Sequence, residues 1–257
     1  MTRMADSAWV SVPASGAASG TVSASRHAGL VRITHWITTL SFLLLLLTGV
    51  EIIISHPRFY WGETGNVLTR PLFQFPIPAS RGTVPTGYNY VLPDQNGWSR
   101  YLHFQAAWVL VFTGIVYVAF GLLNGHFRRN VTPTRTDLSR RALLSAFINH
   151  LRFGLKDEAG LWSYNVLQRI TYSLVIFVLF PLVIWTGLAM SPAIASAFPA
   201  LVTILGGQQS ARTIHFFVSV FLSLFLIIHV LMISVTGFRA RMRAMTIGAS
   251  VRSNEQV

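Results

Sequence analysis

The segment RTIHFFVSVFLSLFLIIHVLMISVTGFR, from Arg212 to Arg239, decides the fold of this chain. No residue between its terminal arginines carries a formal charge. At about 1.5 Å per residue, the segment can cross a hydrocarbon core about 30 Å thick. His215 and His229 lie fourteen residues apart within it, which at about 100° per residue puts them on nearly one face, about 21 Å apart. The segment therefore predicts a transmembrane helix with an imidazole near each end.

The two histidines indicate a function for this helix. A polar, ionisable side chain inside a bilayer is costly and is usually functional. Imidazole is also a common side-chain ligand of iron. The remaining spans are therefore expected to supply partners for both rings.

The composition of the 257-residue chain indicates an integral membrane protein. It is 52% hydrophobic and 11% charged, whereas a soluble domain carries about 25% charged residues. The net charge of +12 does not indicate nucleic-acid binding, because the arginines lie at the ends of apolar runs and not in a groove or stripe. The absence of cysteine excludes disulfides, thiolate iron–sulfur clusters and covalent c-type haem. Any haem must therefore be non-covalent.

The fold class expected from the apolar runs is an all-α integral membrane protein, a bundle of four transmembrane helices. The expected spans are about 33–55, 99–123, 166–190 and 213–237. A long loop of ordered irregular structure is expected over 56–97, and a helix lying in the membrane surface over ALLSAFINHLRFGL. The segment SPAIASAFPALVTILGG is too short and too interrupted to cross, so we expect it to lie at the interface or to dip partway into the membrane.

The chain is expected to have three parts. Residues 1–25 predict a disordered cytoplasmic tail, because they lack the apolar stretch of a secretory signal. Residues 26–238 form the four-helix domain, and 239–257 a basic cytoplasmic tail. Four spans put both termini on one side, which carries fifteen of the twenty arginine and lysine residues. By the positive-inside rule that side is cytoplasmic, and the long loop is then periplasmic.

This topology pairs four histidines by depth. His35 and His229 share the inner level, and His103 and His215 share the outer level. Zinc or manganese sites normally recruit acidic or thiol ligands, but Glu51 is the only acidic residue in a predicted span. Two bis-histidine pairs therefore predict two six-coordinate haems. The alternative, in which each imidazole only hydrogen-bonds a neighbouring helix, explains the paired depths less well.

Residues near the ends of the spans are secondary candidates. Arginines placed to meet haem propionates, or to act as plain topology anchors, are Arg32, Arg100, Arg169 and Arg212. Glycines that either let a flat macrocycle approach or serve ordinary helix packing are Gly49, Gly114, Gly121 and Gly187.

Four stretches also resemble a known family. They are RITHWITTLSFLLLLLTGVEI, WSRYLHFQAAWVLVFTGIVYV, YNVLQRITYSLVIFVLFPLVIWTGLAMSP and ARTIHFFVSVFLSLFLIIHVLM, which cover all four spans over about 30–237. The chain resembles the di-haem bacterial cytochrome b561 group, which includes the cytochrome b subunits of formate dehydrogenase, nickel-iron hydrogenase and thiosulfate reductase. The fourteen-residue histidine spacing and the TGLAMSP ending are the more specific features. The resemblance implies two non-covalent b haems, held by the same histidine pairs, in a bacterial inner membrane.

The resemblance further implies a quinone site beside the inner haem. Asn165 in YNVLQR is the matching residue and Gln168 a weaker candidate, although both fit equally as polar residues at a helix start. Proton exchange with the quinone would involve His126 or His150, but loop histidines are more often only solvated.

The implied function is electron transfer between a periplasmic oxidoreductase subunit and the membrane quinone pool. Chemistry on a substrate is expected only at the quinone. The aromatic-rich loop 56–97 favours a protein partner, with molybdopterin-dependent enzymes as one class. Alternatives are a stand-alone cytochrome b561 that oxidises a small donor, and a non-haem membrane anchor or transporter subunit. An oligomer is compatible with the sequence.

Overall fold

The computed structural model describes residues 28–66, 68–77, 97–134, 137–140, 144, 166–235 and 237–248. The helices within them are α1 (Gly29–Ser55), α2 (Trp98–Leu123), α3 (Val166–Leu174), α4 (Phe180–Ala189), α5 (Pro192–Ala197), α6 (Ala200–Thr203), α7 (Gln208–Val235) and α8 (Phe238–Thr246). Two π-helical segments are Phe127–Val131 and Val175–Leu179. Strands β1 (Arg58–Phe59) and β2 (Phe73–Gln74) pair antiparallel.

Among the residues that the structure describes, four helical segments are long and apolar enough to cross a membrane. They are α1, α2, the continuous run Val166–Ala189 and α7. The prediction of an all-α, four-span membrane protein is therefore confirmed. Large apolar side chains such as Leu40, Leu47 and Leu123 are exposed on the outside of the bundle, as expected where lipid replaces water. Several buried residues are instead small and polar, namely Thr34, Ser41, Thr48, Thr113 and Thr186.

The third span changes its winding in the middle. Pro181 has no N–H, and in a regular α-helix its ring would clash with the carbonyl four residues earlier, that of Phe177. The π-helical turn Val175–Leu179 ends two residues before this proline and accommodates the missing bond. Val175 in this turn packs with Val218 and Leu222 of α7 in a buried apolar cluster. The π-helical turn thus packs the third span against α7.

The loop after α1 covers the first turn of α7. Backbone N–H groups of Gln209 and Ser210 donate to Gly62 O at 3.0 and 3.2 Å. Gly62 N donates in return to Ser210 Oγ at 2.8 Å, and the buried Thr213 hydroxyl donates to Tyr60 O at 2.7 Å. A helix start needs such acceptors because its first N–H groups have no partner within the helix. This capping explains why α7 begins at Gln208, five residues before the predicted 213.

A cluster of phenylalanines holds the same loop on α7. The rings of Phe59 and Phe73 stack at 4.6 Å, and Phe216 of α7 lies 4.7 Å from Phe59. Phe75 and Phe217 extend the cluster. The described part of the loop, up to residue 77, is thus ordered, and it contains the short β1–β2 pair that the sequence did not predict.

The segment predicted as a basic C-terminal tail begins with a helix. Gly237, at a φ of +108°, precedes α8. Trp36 Nε1 donates to Met245 O and Arg32 to Thr246 O, both at 3.2 Å. The end of α8 therefore packs on the start of α1. The predicted tail 1–25 and all but Leu144 of the predicted surface helix lie outside the described residues.

Candidate functional site

The four histidines lie as two ring-to-ring pairs within the bundle. The ring centroids of His35 and His229 are 6.5 Å apart, with 50° between their planes. Those of His103 and His215 are 6.3 Å apart, at 60°. The pairs are those that depth along the spans predicted.

These separations fit axial coordination of one metal by each pair. An imidazole nitrogen bonds a metal at about 2.0–2.1 Å and lies about 1.1 Å from the ring centroid, so two trans imidazoles place their centroids about 6.3 Å apart. The described residues contain no group of three or more His, Cys, Asp or Glu that could hold a metal ion. A pair of imidazoles would suit haem iron, because the haem macrocycle itself supplies the other iron ligands.

Each outer histidine is hydrogen-bonded to a buried threonine on a neighbouring helix. Thr48 Oγ1 of α1 lies 2.9 Å from His103 Nδ1. Thr186 Oγ1 of α4 lies 2.9 Å from His215 Nδ1. Neither threonine was predicted from the sequence.

The glycine after each threonine lies beside the same ring. A Cβ at Gly49 would lie 3.8 Å from Cε1 of His103, and one at Gly187 would lie 3.4 Å from Cε1 of His215. Because glycine has no Cβ, Gly49 and Gly187 leave room around the outer imidazole rings.

The other two predicted glycines have different surroundings. A Cβ at Gly114 would meet nothing within 4 Å. Gly114 lies eleven residues after His103, about 20° away on the same face of α2, so it leaves open space on that face. A Cβ at Gly121 would lie 2.4 Å from the ring of Phe127. Gly121 is thus a packing glycine for the π-helical turn.

Aromatic side chains surround the inner histidine pair. Trp36 contacts His35 at 5.6 Å, Phe225 stacks on His229 at 5.4 Å, and Tyr172 lies 6.1 Å from His229. None of these aromatic residues was predicted from the sequence. Phe225 was detectable, because it lies four residues before His229 on the same helix face. Tyr172 was not, since its contact depends on how two helices are rotated.

The two outer arginines meet at the end of α1. Arg100 lies 3.2 Å from Nε2 of His56. Arg212 donates to the carbonyl oxygens of His56 and Arg58, with its guanidinium 4.8 Å from the Phe59 ring centroid. Burial and the charges of Arg100 and Arg212 lower the pKa of His56 to about 4. This end of the bundle therefore concentrates positive charge suited to carboxylates.

The predicted propionate and quinone residues at the inner level that the structure describes do not converge on one point as the outer arginines do. Arg169 forms an ion pair with Asp137 at 3.6 Å, whereas Arg32 bonds the end of α8, with its Nε buried and unpaired in the described part of the chain. Gln168 lies half-buried in the first turn of α3. Asn165 lies outside the described residues.

His126 follows α2 and lies among aromatic rings. Its ring is 6.1 Å from those of Tyr117 and Phe127. Burial lowers the pKa of His126. The other proton-exchange candidate, His150, lies outside the described residues.

Comparison with known proteins identifies the family. The family model described as prokaryotic cytochrome b561 matches residues 26–248. The chain belongs to this family. As a cytochrome b561 family member it is a multi-pass membrane haem protein, and the family implies haem b.

A curated relative of this cytochrome b561 family member comes from Azospira oryzae. It is the putative protein-methionine-sulfoxide reductase subunit YedZ1, which is 28% identical over 213 residues, 81% of this chain and 89% of the relative. No solved structure matches the chain.

Proposed function

We propose that this cytochrome b561 family protein conducts electrons across a bacterial inner membrane through two b haems. His35 and His229 would hold the inner haem, and His103 and His215 would hold the outer one. Haem, when bound, supplies reversible one-electron chemistry. The observation that carries the proposal is the pair of imidazole separations, 6.5 and 6.3 Å, near the value of about 6.3 Å expected where two imidazoles share one metal ion.

The arginines near each pair would bind haem propionates. Arg100 and Arg212 are supported by their convergence on His56. For Arg32, the buried and unpaired Nε is the support. Arg169 already forms an ion pair with Asp137. To bind a propionate, its guanidinium would have to contact both carboxylates or leave Asp137.

The inner haem is proposed to exchange electrons with a membrane quinone. The positive-inside distribution of arginine and lysine supports cytoplasmic termini and an inner level near that side. Asn165 and Gln168, at the inner start of the third span, are the proposed polar contacts for the quinone.

The outer haem is proposed to serve an external redox enzyme. The relative from Azospira oryzae is named as a subunit of a protein-methionine-sulfoxide reductase, which supports a partner that reduces sulfoxides. Such a partner consumes electrons, so the proposed direction is from quinol to the outside. The loop segment docked on α7 contacts Phe216, the residue after His215, and is the proposed docking region.

The test is haem content per chain of purified protein, for the parent and for His215→Ala and His229→Ala separately. The expected result is two b haems in the parent and one in each variant, with different haems lost. Folded, haem-supplied protein that contains no haem would overturn the proposal in favour of a membrane anchor or transporter subunit.

A second measurement separates a protein partner from a small donor. Reduced protein is mixed with a periplasmic methionine-sulfoxide reductase and its substrate. Oxidation of the haems that requires the enzyme supports the proposed partner. Haems that respond only to small external donors would favour a stand-alone cytochrome.

A further inference from the structure

A Thr-Gly dipeptide faces each outer histidine, from two different helices. Thr48-Gly49 of α1 faces His103 of α2, and Thr186-Gly187 of α4 faces His215 of α7. Both threonines have an exposed fraction of 0%, so water cannot replace their contacts. The two halves of the bundle thus present the same short motif to the two outer rings.

The hydrogen-bond pattern decides which ring nitrogen carries the hydrogen. Thr48 Oγ1 lies 2.8 Å from Leu44 O, and Thr186 Oγ1 lies 2.8 Å from Leu182 O, the carbonyls four residues earlier. A hydroxyl has a single hydrogen, which each threonine gives to that carbonyl. Each Oγ1 must therefore accept from the imidazole, so that Nδ1 carries the hydrogen and Nε2 keeps its lone pair.

Each threonine hydroxyl has a second backbone carbonyl within reach. Leu45 O lies 3.3 Å from Thr48 Oγ1, and Val183 O lies 3.0 Å from Thr186 Oγ1. These carbonyls come three residues before the respective threonine. With two carbonyl acceptors for its one hydrogen, each hydroxyl is left to accept a hydrogen bond from the imidazole.

The inner pair differs in this respect. Nδ1 of His35 is buried and has no hydrogen-bond partner among the described residues. Its neighbours, and those of His229, are the aromatic rings of Trp36, Tyr172 and Phe225. The outer imidazoles are therefore hydrogen-bonded to threonines, whereas the inner imidazoles lie among aromatic rings.

We propose that Thr48 and Thr186 are positioning residues for the outer haem, and that they make the two haems electronically unequal. They hold His103 and His215 in the tautomer that presents Nε2 to iron. A hydrogen bond accepted from Nδ1–H also raises the basicity of the ligand. A more basic ligand favours ferric over ferrous iron and lowers the midpoint potential of the outer haem.

This inference rests on the proposed haem ligation and is tested with Thr48→Val and Thr186→Val. Valine keeps the branched shape and removes the hydroxyl. The matched control is Thr113→Val, because the buried Thr113 hydroxyl donates to Val109 O at 2.7 Å within its own helix. Thr48→Ser and Thr186→Ser restore the hydroxyl. Haem content and optical redox titration are measured for each variant, and the outer haem is identified as the one absent from His215→Ala.

The expected result is a positive shift of the outer midpoint in both valine variants, with the inner midpoint unchanged and the parent value restored by serine. If valine instead weakens haem binding, the affinity for the outer haem alone falls by about tenfold or more. The serine variants and Thr113→Val then retain the outer haem. Valine variants that behave as Thr113→Val does would overturn the inference. A parent without haem, or a His215→Ala variant with two haems, would instead overturn the proposed function.

Discussion

Arg100, at the start of α2, donates a hydrogen bond to Nε2 of His56 at the end of α1, over 3.2 Å. Arginine can only donate, so Nε2 holds the lone pair and the His56 ring is neutral. Burial and the charges of Arg100 and Arg212 lower the pKa of His56 to about 4. The contact thus requires an uncharged histidine at the outer end of the bundle.

This contact predicts acid sensitivity. An unfolded histidine has a pKa of about 6.5, so the unfolded state binds a proton more readily than the folded state between about pH 6.5 and pH 4. The free energy of unfolding therefore falls as the pH is lowered through this range. His56→Gln, which keeps an acceptor for Arg100, is expected to lose less stability than the parent between pH 7 and pH 5. Thermal unfolding in detergent measures this difference, and equal losses would contradict the prediction.

The partners within each histidine pair predict which haem each variant loses. His35→Ala is expected to lose the same haem as His229→Ala, and His103→Ala the same haem as His215→Ala. The double variant His103→Ala/His215→Ala should lose no more than either single change, because both remove one site. Spectra of the remaining haem in each variant measure this. A double variant that also loses the inner haem would contradict the assignment.

Two glycines in the loop contact on α7 predict different costs of an added methyl group. Gly62 and Gly207 have φ values of +100° and +112°. A Cβ at Gly62 would meet nothing within 4 Å, whereas one at Gly207 would lie 2.5 Å from the Gly62 backbone. Gly62→Ala should cost about 1–2 kcal/mol, the strain of a left-handed residue. Gly207→Ala should cost about 1–3 kcal/mol more, because it also breaks hydrogen bonds to the loop. Thermal unfolding compares the two, and equal costs would contradict the docked loop.

The contact between α8 and α1 predicts a role for the C-terminal helix at the inner level. A chain ending after Gly237 lacks Met245 and Thr246, whose carbonyl oxygens accept hydrogen bonds from Trp36 and Arg32. Trp36 in turn contacts His35 at 5.6 Å. We expect this truncation to weaken inner-haem retention by about tenfold and to leave the outer haem unchanged. A chain ending after Gly248 is the control. Equal retention of the inner haem in both truncations, measured during detergent dialysis, would show that α8 does not support it.

The sequence predicted the parts of this molecule that depend on periodicity along one helix. Length and hydropathy located the spans to within about five residues. The spacing of His215 and His229 on one helix, combined with depth in the membrane, predicted both partners correctly as neighbours.

Contacts that depend on the rotation of neighbouring helices were not predicted. Threonine is ordinary in membrane helices, so nothing in the sequence distinguished Thr48 and Thr186 from Thr113. Arg169 was predicted to meet a haem propionate or to act as a topology anchor, and its ion pair with Asp137 was not predicted. Likewise, the arginines of α8 resembled those of a solvated tail, because the acceptors for Trp36 and Arg32 are backbone carbonyls that any sequence carries.

Because α7 supplies one histidine to each pair, the distance between the two proposed haem sites is set by a single hydrogen-bonded helix. The fourteen residues from His215 to His229 fix it at about 21 Å, whatever happens to the packing of the other spans. Electron tunnelling depends steeply on distance, so under the proposed function the length of α7 between the histidines would set the transfer rate. Deleting one residue between the histidines would shorten this distance by only about 1.5 Å but would rotate one histidine by about 100°. The geometry therefore tolerates exchange of side chains along α7 but not a change in its length.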